Sequence, residues 1–145
     1  MLLPLETLLE QCADQFLPQL LEELAFADAW PVGSVSEGAV FSCACDFESP
    51  WEWSLVLEGE KRCLFDLAAG FHSLPDAHMD DLFAEEFLLE LVARFGAQLK
   101  AAASEAPAPG VAYPRHFPMQ FPSWERYFAV NEDGGWLRLG LVPPV

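Results

Sequence analysis

The chain has 145 residues and carries 23 acidic against seven basic side chains, a formal net charge of −16, which repels nucleic-acid backbones and anionic lipid surfaces and leaves neutral or basic protein patches as partners. That length holds one hydrophobic core and not two, so residues 1–145 are expected to form a single domain, and a composition 52% hydrophobic with five Trp and twelve Phe lies far from the signature of disorder. The apolar run Met1 to Leu9 has no basic leading region and is followed or broken by Glu6, Glu10 and Asp14, so a signal peptide, a transmembrane helix and a membrane partner are not expected, and a cytoplasmic location is.

From Pro4 to Leu24 the residues Leu5, Leu8, Leu9, Cys12, Phe16, Leu20 and Leu24 recur at helical spacing, with Glu6, Glu10 and Asp14 on the other side, which predicts an amphipathic helix. Pro18 lacks an amide hydrogen and predicts a bend there, or the start of a second helix. After Pro31 the period becomes two. Ala39, Phe41, Cys43, Cys45 and Phe47 fall on one side of a strand, and Ser42, Ala44 and Asp46 on the other. Ser49-Pro50 breaks it, and Trp51, Trp53, Leu55 and Leu57 then alternate with Glu52, Ser54 and Glu58, completing an antiparallel hairpin.

Lys61 to Ala69 reads as a short helix stopped by Gly70, and a loop containing Pro75 leads into a long helix from about Met79 to Ala103. Ser104 to Gly110 reads as loop. Trp124, Arg126, Phe128 and Val130 alternate with Glu125, Tyr127 and Ala129, the chain turns over Asn131 to Gly135, and Trp136 to Leu141 returns as a second hairpin. This order predicts an α+β fold, with helices packed on a mainly antiparallel sheet.

The long helix carries two stripes. Phe83, Phe87, Leu88, Leu91, Val92, Phe95 and Leu99 form a core-facing one; Glu86, Glu90, Ala93, Ala97 and Lys100 line up opposite, at spacings of four, three, four and three. The plain account of the second stripe is a solvated face, with Glu90 and Arg94 joined by an i,i+4 ion pair. The run Glu90-Leu-Val-Ala-Arg-Phe-Gly-Ala-Gln-Leu-Lys100 resembles the helix of the CheX-like chemotaxis phosphatases of the CheC/CheX-like superfamily, which reads roughly Glu-Leu-Ala-Asn-Met-Ile-Ala-Gly-Asn-x-Lys. The helix before the first hairpin, the PGVAYPRHFP segment and the closing hairpin resemble that family as well.

The resemblance implies a CheC/CheX-like fold, a homodimer, and docking on the receiver domain of a phosphorylated response regulator in chemotaxis or two-component signalling, with no cofactor. Glu90 takes the place of the acidic residue that engages the receiver; Glu86, Arg94 and Ala97 share the partner-binding face. Ala93 stands at the catalytic position where the family has the asparagine that orients water against the aspartyl phosphate, and a methyl group neither donates nor accepts a hydrogen bond. Gln98 and Arg94 are polar but stand at other offsets, so phosphatase activity is in doubt.

Other readings weigh less. A non-enzymatic binding module, such as a small acidic secretion chaperone holding an extended client segment on its strands, is the alternative from another class. Four cysteines, Cys12, Cys43, Cys45 and Cys63, fit buried free thiols better than a disulfide framework. His72, Asp76 and His78, with Cys43 and Cys45, match no zinc spacing, so no metal is expected. Nothing places a cysteine nucleophile beside His116 as base. Trp51, Trp53, Trp124, Phe128 and Trp136 are read as packing.

Overall fold

A computed structural model describes residues 4–35, 38, 40–48, 52–103, 110–116, 119–132 and 135–143. Ala39, Ser49, Pro50, Trp51 and residues 104–109, on which parts of the strand, break and loop expectations rest, lie outside them.

The elements run α1 (Pro4–Ala25), β1 (Ala29–Val32), β2 (Val40–Asp46), β3 (Ser54–Glu60), α2 (Lys61–His72), α3 (Asp81–Ala102), β4 (Tyr113–Arg115), β5 (Trp124–Val130) and β6 (Gly135–Val142), with a 3-10 turn at Asp76–His78. The strands form one six-stranded sheet in the order β1-β5-β6-β3-β2-β4, antiparallel at every pair. Both expected hairpins are present, β2 with β3 and β5 with β6, and the pairing of β3 with β6 joins them into one sheet. The α+β class with helices on an antiparallel sheet is therefore observed.

Side-chain period two divides the sheet into two faces. Cys43, Cys45, Leu55, Leu57, Phe128, Leu137, Leu139 and Leu141 form the main core with the buried residues of all three helices. The opposite face is not simply wet, as alternation alone suggests. There Ala44, Val56 and Val142 are buried under Met119 in a second, smaller cluster. Gly140 makes this close approach possible, because a Cβ on it would lie within 3 Å of the Met119 sulfur and methyl carbon.

Several local expectations change. The helix runs unbroken from Pro4 to Ala25 with Pro18 inside it, so no second helix opens there; the fully buried line Leu5, Leu9, Ala13, Leu17 and Leu21 holds the segment in one piece against the core. Glu6, expected outside, is buried. Gly70 does not stop α2, which continues to His72 and ends at Ser73 in the left-handed region, φ 55° and ψ 42°. The strands β1 and β4 escape the periodicity reading because they span four and three residues and contain Pro31 and Pro114, a residue found at sheet edges. Trp53 precedes β3 and does not belong to it. Among the described residues no helix is long and apolar enough to cross a membrane.

Candidate functional site

Helix α3 presents the candidate site. Its N-cap is Asp80, whose carboxylate accepts the Phe83 amide hydrogen at 3.0 Å and so satisfies one of the donors that every helix start leaves open. Phe87, Leu88, Leu91, Val92, Phe95 and Leu99 are fully buried against β2, β3 and the other helices. That packing fixes the rotation of α3 and turns the second stripe outward. Glu86, Arg94, Ala97 and Lys100 are exposed, while Glu90 and Ala93 are half-buried. The structure thus brings all the candidate residues onto one helix face.

Within the stripe, Arg94 Nε donates to Glu90 Oε1 at 2.6 Å, the i,i+4 pair that the spacing allows. The two side chains are 51% and 41% exposed, so the pair itself contributes only about 0.5 kcal/mol or less to stability. Ala93 offers no hydrogen-bonding group one turn beyond Glu90, and Gln98, half-buried, lies eight residues from it.

The thiols are ill suited to nucleophilic chemistry. Burial pushes Cys43, Cys45 and Cys63 up to about 12, with Glu85, Asp46 and Glu60 respectively adding to the effect, and a thiol that stays protonated is a poor nucleophile. Cys45 donates weakly to the Val92 carbonyl, beneath α3, whereas His116 is exposed after β4. The His72 ring packs edge-on against Phe71 and Phe83, at centroid distances of 5.0 and 4.8 Å. Among the described residues no group of three or more His, Cys, Asp and Glu side chains comes together as a metal site.

Three polar clusters were not legible in the sequence. On the face away from the helices, Glu58 is 3% exposed; its carboxylate accepts the Met119 amide hydrogen at 2.8 Å and a hydrogen from Arg138 Nη1 at 3.4 Å, while Arg138 Nε also bonds Glu125 at 2.9 Å. Asp46 Oδ1 accepts from Ser54 Oγ at 2.6 Å and from Tyr113 Oη at 2.8 Å, which ties β2, β3 and β4 together. Glu10 accepts from Trp124 Nε1 and from Arg126, and Asp14 also pairs with Arg126, so the acidic side of α1 is bound to β5 and is not merely solvated. Each cluster depends on strand register or helix placement, which no local pattern encodes. These are ties between elements, whereas the α3 stripe faces outward.

No protein-family model matches the chain, and no curated protein matches it. Solved structures do match in fold. CheX from Vibrio vulnificus superposes with a TM-score of 0.62 at 11% identity, covering 86% of this chain and 90% of that one. The CheX–CheY–BeF3–Mg2+ complex from Borrelia burgdorferi gives 0.63 at 9% identity, with 89% and 93% covered, and the FliG–FliM complex from H. pylori gives 0.62 at 10% identity, with 95% and 90% covered. The architecture of this chain is therefore that of the CheX-like chemotaxis proteins, a fold shared with a chain of the FliG–FliM complex.

Proposed function

We propose that this protein docks, through the outward stripe of α3, on the receiver domain of a phosphorylated response regulator in a chemotaxis or two-component pathway, with little or no phosphatase turnover of its own. The observation that carries this reading is the stripe Glu86, Glu90, Ala93, Arg94 and Ala97 facing outward on a fold similar to that of a CheX solved together with CheY. Positioning of a water molecule supplies a large part of the rate in phosphoryl transfer to water, and Ala93 supplies none of it. A cytoplasmic homodimer belongs to the same proposal. Its contact would use the helix-free sheet face, where Trp30 is 41% exposed, because Pro31 and Pro114 blunt the two edges.

The test is the lifetime of receiver phosphate with wild type, Ala93→Asn, and Ala93→Asn combined with Glu90→Ala. Wild type is expected to leave the lifetime unchanged and Ala93→Asn to shorten it in a manner that needs Glu90. The substitution costs about 0.5 kcal/mol in helix propensity, which a domain of this size tolerates. Robust wild-type turnover would show that the catalytic group lies elsewhere. Failure to bind any receiver domain of the source organism would remove the reading.

A further inference from the structure

We propose that Arg94 makes docking depend on the partner's phosphoryl group, so that the protein acts as a reader of the phosphorylated state; this rests on the docking reading above. Glu86 and Glu90, when ionised, are acceptors only, and Ala93 and Ala97 carry no polar side-chain group. The guanidinium of Arg94 is thus the donor set within the stripe, since Lys100 lies six residues further on, about 9 Å along the axis. Its side chain is 51% exposed and is oriented by the 2.6 Å bond from Nε to Glu90, which engages one of five N–H donors in a planar fork that matches phosphoryl oxygens.

Charge favours a local cation at this contact. With a net charge of −16 the protein as a whole repels a phosphoryl group, and a positive group at the contact itself, where Coulomb energy is largest, offsets that repulsion. Ala97, one turn after Arg94, projects no further than its methyl group, leaving the guanidinium proud of its neighbours on that side. With no amide at position 93 to orient water, binding of the phosphoryl group by Arg94 stabilises the complex without shortening the life of the phosphate.

The experiment measures binding of the source organism's receiver domains, with and without beryllofluoride and Mg2+, to wild type, Arg94→Met, Arg94→Lys and, as control, Glu23→Gln, an exposed position on α1 outside the stripe. The expected result is at least about tenfold tighter wild-type binding to the beryllofluoride-loaded form, the effect of one charge-assisted contact. Arg94→Met should bring the two forms within about twofold, Arg94→Lys should keep part of the preference because the fork is lost but the charge is not, and Glu23→Gln should keep it all. Equal wild-type binding to both forms, or an undiminished preference in Arg94→Met, overturns the inference and leaves the docking reading standing. No binding to any receiver, loaded or not, overturns both.

Discussion

Gly70 lies directly against Ala25, so that a Cβ built on Gly70 would stand 2.5 Å from the Ala25 carbonyl oxygen. The obstacle is backbone at the end of α1 and cannot rotate away. Alanine gains about 1 kcal/mol over glycine in helix propensity, yet Gly70→Ala is expected to destabilise the protein by about 1–3 kcal/mol, because α1 and α2 must move apart. A lowered midpoint in urea denaturation checks this; a raised one would mean that the helices separate at no cost.

Glu58 and Arg138 form a pair across β3 and β6 on the buried part of the helix-free face. Glu58→Ala leaves Arg138 with Glu125 alone and the Met119 amide without its acceptor, and is expected to cost about 3 kcal/mol or more. Glu58→Ala with Arg138→Met should cost less than the two single changes added together, since the double variant leaves no buried charge unpaired, and Glu125, which also loses Arg138, is exposed. Simple additivity in a thermal or denaturant cycle would show that the two groups act independently.

Three thiols make stability fall in alkali. Burial raises Cys43, Cys45 and Cys63 from 9.0 to about 12 in the folded chain. Between pH 9 and about 12 the unfolded chain therefore binds fewer protons than the folded one, and stability declines as pH rises through this window. Below pH 9 both states hold the proton and the thiols contribute no slope. Replacing all three by alanine should flatten the decline above pH 9, at the cost of cavities in the core. At pH 8 a thiol reagent should label Cys12, which is half-buried, well before the others; equal labelling of all four in the folded protein would contradict their burial.

Glu90→Lys should weaken receiver binding more than Glu23→Lys. Both substitutions change the net charge by the same amount, so long-range steering is controlled, and Glu23 is exposed on α1. Glu10 is a poor control, since it bonds Trp124 and Arg126 and its loss would loosen α1 from β5. Equal losses of affinity in the two variants would remove Glu90 from the docking face.

The amino-acid pattern alone determined the long elements and one surface. α1, α3 and the two hairpins announce themselves because helical and strand periods are local properties of ten or more residues, and the same period assigns Glu86, Glu90, Ala93 and Ala97 to the side of α3 opposite Phe87, Leu91 and Phe95. The Glu90–Arg94 bond follows from a spacing of four. Only the tertiary structure decided the rest. β1 and β4 are too short to show a period and exist by pairing with β5 and β2; Gly70 reads as a helix stop until Ala25 is seen to need the space. Glu58 reads as a solvated strand residue until the register sets Arg138 opposite it and Met119 above it. A contact between segments far apart in the chain depends on how every intervening element packs, and no window along the sequence contains that information.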